Sequence, residues 1–128
     1  FSGDYGGAWL LKHRVGASAA LDIIVSNRTV RSDEALRLGM LDRLVADDEF
    51  DQAWRDWAAT FANGPQTAIG YMKANVADAG RLGLSEAIEI ESRRQIETGQ
   101  TDDHREGVRA WIEKRPPRFG RSVRTDGE

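Results

Sequence analysis

The chain opens with FSGDYGGAWLLKHRVG (residues 1–16), and the remaining sequence is best interpreted around this stretch. Gly6 and Gly7 leave the backbone free to turn and to approach other atoms closely, and helix-forming residues follow from Ala8. The pattern predicts a glycine-rich turn that leads into a short helix, with the unpaired N–H groups of the helix start facing the turn. Asp4 lies in that turn, where a carboxylate suits either a helix cap or a catalytic acid or base at the mouth of a pocket.

The composition of the 128 residues indicates a globular protein and excludes several classes. The formal net charge of -3 argues against a broad basic surface for nucleic acid, and without a run of about 18 apolar residues we expect no membrane span. The absence of cysteine excludes a disulfide framework, a thiolate nucleophile and a cysteine metal site. We expect a cytoplasmic protein. Because the sequence starts at Phe1 without an initiator methionine or a signal-peptide pattern, we also expect it to be part of a longer polypeptide.

Apolar periodicity predicts six or seven helices and at most one short strand. A helix that starts at Ala17 is expected to end at Ser26 and Asn27, and Ser32 is the predicted N-cap of the next helix. The predicted strand is MLDRLVA, residues 40–46. On this pattern alone the chain is an α-helical domain.

The second half of the chain contains four predicted helices with apolar faces. The strongest pattern follows Asp47 and Asp48, and we expect its aromatic face to pack in a core. The helix after Pro65 and the last helix, which starts at residue 101 or 102 and ends before Pro116, are also expected to turn apolar side chains inward. The predicted inward side chains of these three helices are Phe50, Ala53, Trp54, Trp57, Ala58 and Phe61, then Ala68, Ile69, Met72 and Val76, and finally Val108, Trp111 and Ile112.

The long helix that starts near Ser85 differs, because its apolar stripe continues into the polar residues Glu91 and Gln95. Such a face is typical of contact with another subunit or with a wet cleft, and simple exposure explains it equally well. His13 and His104 are isolated in sequence and are interpreted as structural or surface residues. The run from Asp102 to His104 is interpreted as a solvated helix start, so we expect no metal site.

Three blocks, in order, resemble the C-terminal half of the enoyl-CoA hydratase/isomerase (crotonase) family. They are G-D-Y-G-G-x-W-L-L at the start, EALRLGMLDRLV in the middle and REGVRAWIEKRPPRF near the end, and the likeness runs from Gly3 to Phe119. The resemblance implies a mainly α chain, the helical C-terminal portion of the crotonase (ClpP/crotonase-like) α/β spiral fold. It also implies that residues 1–16 border an acyl-CoA site and that residues 17–119 form a helical oligomerisation region. Residues 120–128, which continue a run of basic side chains, are expected to be a disordered tail.

The same resemblance implies an activity and its partners. Family members hold acyl-CoA thioesters, stabilise the enolate-like anion with two backbone N–H groups, and move protons with carboxylates. Coenzyme A is then part of the substrate, no prosthetic group is expected, and the partners are an acyl-CoA thioester and further subunits of a trimer or hexamer, or a missing N-terminal half. In the family pattern the oxyanion-hole segments and the two glutamates of hydration precede the position of Phe1. We therefore expect the 128-residue chain alone to be inactive.

Two groups of site residues follow from the resemblance. Asp4 corresponds to a glycine of the hydratases, whereas members that shift double bonds commonly carry an aspartate there, which favours isomerisation. Gly6 and Gly7 would let the backbone approach the acyl group, and Tyr5 or Trp9 is either a pocket wall or ordinary packing.

On the last helix, Trp111 and Lys114 correspond to an aromatic residue and a lysine that reach the CoA bound by a neighbouring subunit. The alternative for this pair is Trp111 in a core and Lys114 in water. The competing functions for the chain are an enoyl-CoA hydratase (lyase) and a non-catalytic helical assembly or CoA-binding module.

Overall fold

A computed structural model describes residues 4–120 of the chain, and these residues divide into two compact units. The first unit ends at Phe50 and the second begins at Asp51. The expected basic tail, apart from Gly120, lies outside the described residues.

The first unit contains helices α1 (Gly7–Val15), α2 (Ala17–Ser26) and α3 (Ser32–Arg37). Gly16 joins α1 to α2 with φ 81, a left-handed value that glycine adopts without steric cost. α1 packs against α2, which buries Ala20, and α2 ends as predicted at Ser26 with Asn27 in the left-handed conformation. Arg14 of α1 forms an exposed ion pair at 2.6 Å with Asp42, in the segment that follows α3.

Two local predictions for the first unit are wrong. Ser32 is the first residue of α3 rather than its N-cap, which is Arg31. Residues 40–46 form no strand, and no strand occurs anywhere in residues 4–120. The N–H groups of Met40 and Leu41 donate to the carbonyl of Ala35, so these residues close a turn at the end of α3. A strand would instead donate these N–H groups to a neighbouring strand.

A short 3-10 helix (Asp47–Glu49) precedes α4 (Phe50–Ala62), and the second unit begins at the second residue of α4. It also contains α5 (Gln66–Ala79), α6 (Leu84–Gly99) and α7 (Asp102–Ile112). The corner between α4 and α5 is closed by one side chain, because the Gln66 amide donates to the carbonyls of Phe61, Ala62 and Gly64 at 2.7, 3.1 and 3.0 Å. α7 begins at a side-chain cap, in which Thr101 Oγ1 accepts the N–H of His104 at 3.1 Å.

Packing within the second unit joins α5 to α6 and α6 to α7. The α5–α6 contact centres on Asp78, which is 6% exposed and is bound by Arg81 and by Arg94, the latter at 2.8 Å. Arg94 also donates to Asn75 Oδ1, and the hydroxyl of Tyr71 donates to Glu97. Polar pairs of Arg94 and Glu97 therefore connect α5 and α6. Glu91 and Gln95, for which the sequence left a subunit contact, a wet cleft and simple exposure open, are both exposed.

The prediction that the apolar helix faces of this half are buried is wrong for most of the large side chains. Along α4 the aromatic face is open at Phe50, Trp54 and Phe61, although Trp57 is half-buried and its ring centroid lies 5.8 Å from that of Phe61. The exposed members of the other predicted faces are Met72, Val76, Val108, Trp111 and Ile112, and Leu84 and Ile88 on α6 are exposed as well. Periodicity correctly identified which side chains share a face, but a face is buried only where another element covers it.

Candidate functional site

The glycine turn before α1 has the geometry that the opening sequence predicted. The N–H of Gly7 donates to the carbonyl of Asp4 at 2.9 Å, which closes the turn, and Gly6 carries φ 75. Tyr5 also has a positive φ of 52, which is uncommon for a residue other than glycine. A Cβ placed on Gly6 or Gly7 would meet no atom within 4 Å, so one side of the turn is open. A flat group can therefore approach this backbone without displacing protein atoms.

The Asp4 side chain is exposed and has no hydrogen bond or ion pair with any residue between 4 and 120. The N-cap of α1 is Gly6, two residues later, so the helix-cap role considered for Asp4 does not occur here. Its carboxylate is accessible and uncommitted, as an acid or base that must reach a ligand requires. The assignment of Asp4 as a catalytic residue stays a prediction.

Two aromatic side chains accompany the turn. Tyr5 is almost fully exposed, and Trp9 on α1 is 63% exposed. The indole of Trp9 stacks on the His13 ring, with 3.9 Å between centroids, and His13 Nδ1 donates to the Trp9 carbonyl at 2.8 Å. His13 thus orients Trp9, one turn along the same helix. Ordinary core packing of Trp9 does not occur within this unit.

Trp111 and Lys114 come together at the end of α7. They line one hollow of about 530 Å³ with Ala110, Ile112 and Arg115, and Trp111 is 81% exposed. Trp111 is therefore not buried among the described residues, while Lys114 is exposed under either interpretation. Lys114 forms no ion pair with the described residues, so its ammonium is available to an anionic group.

The chain reverses direction at Lys114, which has φ 53. The N–H of Lys114 donates to the Trp111 carbonyl at 3.2 Å, and the N–H of Arg115 donates to the Ala110 carbonyl at 3.0 Å. Bonds of this kind end a helix whose C′ residue is left-handed, a position that glycine usually occupies.

Arg115 connects this turn to the body of α7. Its two terminal nitrogens donate to the two oxygens of Glu106 at 2.6 and 3.0 Å, and Glu106 Oε1 also accepts the N–H of Arg118 at 2.9 Å. The hydrogen bond from Arg115 and, next, the one from the Arg118 backbone lower the pKa of Glu106 to about 2. The pKa of Arg115 is raised by the same pairing. The pair is therefore ionised at every physiological pH.

Sequence reasoning missed a larger groove, of about 640 Å³, in the second unit. Its walls combine apolar side chains with polar groups from α6 and α7, among them Gln95, Thr98, Asp103 and His104. Phe119 forms part of the wall because the N–H of Gly120 donates to Asp103 Oδ1 at 2.9 Å and holds the returning segment against α7. No local sequence pattern predicts this groove, since its lining residues run from Pro65 to Phe119.

The predicted site residues thus fall into two sets, one in each unit. Asp4, Gly6 and Gly7 share the turn before α1, and Trp111 and Lys114 share the hollow at the end of α7. Within residues 4–120 no group of three or more histidine and acidic side chains is arranged to hold a metal ion. None of the described helices is both long enough and apolar enough to cross a bilayer.

Comparisons with known proteins give a consistent result. Residues 1–122 match the model of a family described as Enoyl-CoA hydratase/isomerase. A "Probable enoyl-CoA hydratase" of Rhodobacter capsulatus is 39% identical over 120 residues, which are 91% of this chain and 45% of that protein. A "Probable enoyl-CoA hydratase echA8" of Mycobacterium tuberculosis is 34% identical over 114 residues, 89% of this chain and 44% of that protein.

The fold is also found among solved structures. The crystal structure of an enoyl-CoA hydratase from Geobacillus kaustophilus superposes with a TM-score of 0.82 at 30% identity, covering 89% of this chain and 43% of that one. The chain therefore has the architecture of the mainly helical portion of the crotonase fold. It spans less than half the length of these relatives.

Proposed function

Because this chain belongs to the enoyl-CoA hydratase/isomerase family, we propose that it supplies the helical part of an enzyme that processes acyl-CoA thioesters by moving a carbon–carbon double bond. The observation that carries the proposal is the exposed, unpaired carboxylate of Asp4 in an open glycine turn. The oxyanion hole of this enzyme would come from polypeptide outside the matched helical part. For that reason we expect no turnover by these 128 residues alone.

The proposed reaction needs one carboxylate, which removes one proton from the substrate and returns it. The Asp4 carboxylate removes a proton from a carbon of the acyl chain, and the electron pair delocalises into the thioester carbonyl as an enolate-like anion. Two backbone N–H groups stabilise the charge on the carbonyl oxygen. The protonated Asp4 then returns the proton to a different carbon, so the double bond has moved and the carboxylate is regenerated.

For the CoA portion of the substrate we propose a contact with Trp111 and Lys114. The two side chains line one hollow, the indole offers a large exposed apolar face, and the Lys114 ammonium has no protein partner among the described residues. An aromatic ring stacks on a planar base, while a lysine meets a phosphate as a mobile point charge. The assembly proposed with this contact is a trimer or a pair of trimers, in which the CoA belongs to a neighbouring subunit.

Hydration is the second candidate reaction, and the names of the Rhodobacter and Mycobacterium relatives favour it. It would need carboxylates other than Asp4. A non-catalytic assembly or CoA-binding module is the third candidate, which the exposed aromatic face of α4 supports.

Asp4→Asn in the full-length protein tests the proposal. The amide keeps the shape of the side chain but cannot take up the proton, so we expect isomerisation of a 3-enoyl-CoA to fall by about 10²–10⁴-fold. CoA affinity, measured by calorimetry, should stay unchanged. Asp33→Asn is the matched control, since Asp33 is also an exposed aspartate of the first unit and should lose no activity.

Undiminished isomerisation by the Asp4→Asn variant would remove Asp4 from the mechanism. Hydration of a 2-enoyl-CoA by both the wild type and this variant, with no isomerisation by either, would establish the second candidate instead. Absence of both reactions in the wild type, with CoA bound, would establish the third.

A further inference from the structure

We propose that Glu106 is a positioning residue, which fixes the turn at Lys114 through Arg115 so that the lysine ammonium is presented to a phosphate of CoA. This inference rests on the CoA contact proposed above and assigns a role to a side chain that does not itself touch the ligand. It concerns the segment from Glu106 to Arg118, all of which is described by the structure.

The turn at Lys114 needs support from outside its own backbone. Lys114 adopts φ 53, a conformation that a lysine seldom takes and that glycine takes freely. The backbone bonds from Lys114 and Arg115 to the last turn of α7 close the reversal. They leave the direction of the chain beyond Arg115 to be set by other contacts.

Glu106 supplies those contacts. Its carboxylate accepts hydrogen bonds from both terminal nitrogens of Arg115, at 2.6 and 3.0 Å, and from the Arg118 N–H at 2.9 Å. One side chain thus binds the residue immediately after Lys114 and the residue four positions after Lys114. The Glu106 side chain is only 18% exposed and the Arg115 side chain 33%. Two parallel hydrogen bonds between a planar guanidinium and a carboxylate fix the relative orientation of the two groups. A single hydrogen bond would leave that orientation free.

The two neighbouring cations of the turn, Lys114 and Arg115, differ in their ion pairs. Arg115 is committed to Glu106 and also donates to Glu113, whereas the neighbouring Lys114 has no ion pair in residues 4–120. The Glu106–Arg115 pair, here called the clamp, thus neutralises the charge of Arg115. It leaves Lys114 exposed in the hollow that Trp111 also lines. A free ammonium with a fixed backbone beside an exposed indole suits a phosphate attached to an aromatic base.

The experiment measures CoA and 3′-dephospho-CoA binding to the full-length protein by calorimetry. Lys114→Met should weaken CoA binding by about tenfold, the size of one charge-assisted contact. Glu106→Gln keeps the shape but loses the ionic pair, and we expect about a threefold loss in CoA affinity. A smaller loss for 3′-dephospho-CoA would identify the 3′-phosphate as the group contacted, and equal losses would identify the diphosphate.

Glu113→Gln is the matched control, because it removes the same charge next to Lys114 but leaves the two-bond pair of Glu106 intact. It should not weaken CoA binding. The decisive readout is the double variant: if Glu106 acts through Lys114, Glu106→Gln adds no loss of CoA affinity to Lys114→Met. A general structural role would add its own loss.

Two results overturn different claims. If Lys114→Met binds CoA as the wild type does, the proposed CoA contact is wrong and the role of Glu106 falls with it. If Lys114→Met weakens binding but Glu106→Gln matches Glu113→Gln, or adds its full loss to Lys114→Met, only the positioning role is wrong. The rate of trypsin cleavage after Lys114 gives an independent check. Glu106→Gln should raise this rate because it releases the clamp, whereas Glu113→Gln should leave it unchanged.

Discussion

Asp78 shows how a charged side chain is kept inside a small helical unit. Its carboxylate is bound by Arg81 and by Arg94, and these hydrogen bonds, the one from Arg81 being the stronger cause, lower its pKa. Removing one partner of a buried ionic group is costly because the others remain without compensation. This carboxylate is therefore a point where pH acts on the stability of the α5–α6 pair.

We expect Asp78→Asn to lower the melting temperature at pH 7 by several degrees. In the wild type the folded carboxyl has a lower pKa than the unfolded one, whose value is about 3.9. The stabilisation is therefore complete above that unfolded value and is lost as the pH falls through the folded pKa. Thermal unfolding followed by circular dichroism from pH 7 to pH 2 should show the wild type and the variant converging in acid.

Glu89→Gln is the control for this pH dependence. Glu89 lies 4.0 Å from Arg93 on α6, and both side chains are exposed, so the pair contributes little to stability. A Glu89→Gln variant that melts like the wild type at all pH values is the expected result. Equal losses from the two variants, or a constant gap between Asp78→Asn and the wild type down to pH 2, would contradict the role given to Asp78.

The site residues show what one sequence can and cannot reveal. The open turn around Gly6 follows from glycine chemistry, and the structure has it. The roles of Asp4, Trp111 and Lys114 depend on a bound substrate and on further polypeptide, and they stay predictions. Glu106 could not be singled out, because its partners Arg115 and Arg118 lie up to 12 residues away and reach it only after the chain reverses.

The ends of the helices were the most predictable feature at this scale, because capping and helix-breaking residues act on the backbone next to them. α2 ends at Ser26, and α7 begins after Thr101, as the sequence indicates. Apart from the Ser32 cap, the wrong predictions depend on parts of the chain that are distant in sequence. Residues 40–46 have strand-like composition but no neighbouring strand in the described chain, and the aromatic face of α4 has no covering element in its unit.

The cap of α7 gives a quantitative test of a single element. Thr101 Oγ1 accepts the His104 N–H and donates to the Thr98 carbonyl at 2.7 Å, so it joins the end of α6 to the start of α7. Thr101→Ala should lower the free energy of unfolding by about 1 kcal/mol, measured by urea titration.

Thr60→Ala is the matched substitution for this cap. Thr60 is an exposed threonine inside α4 whose hydroxyl donates only to the Asp56 carbonyl. Because alanine has the higher helix propensity, we expect a neutral or slightly stabilising effect. If both variants unfold at the same urea concentration, the hydroxyl of Thr101 does not act as a cap.

Across residues 4–120 the buried apolar side chains are Ala20, Ala35 and Ala110, while large apolar side chains are exposed in both units. Alanines alone bury little area, so the apolar core of the described residues is small. Exposed apolar faces of this extent are typical of surfaces that another protein surface covers. Composition could not reveal this, because 40% hydrophobic residues is also the value of a protein with a closed core.

We therefore expect the 128-residue polypeptide, prepared by itself, to associate in solution. Sedimentation velocity at micromolar concentration should show species larger than the 14.2 kDa monomer, and 1-anilinonaphthalene-8-sulfonate fluorescence should increase on addition of the protein. Replacing Phe50 and Phe61 of α4 by Gln should reduce the associated fraction. Thr60→Gln on the same helix should not, and a sharp monomer peak for the unmodified chain would contradict the prediction.

The Gln66 amide has a consequence for chemical ageing of the protein. It presents its N–H groups to three carbonyl oxygens at the corner between α4 and α5. Hydrolytic loss of ammonia would turn that donor into a carboxylate facing the same oxygens, and attraction would become repulsion. A single spontaneous deamidation, invisible in the chain length and almost invisible in its mass, would thus release the end of α4 that carries Phe61.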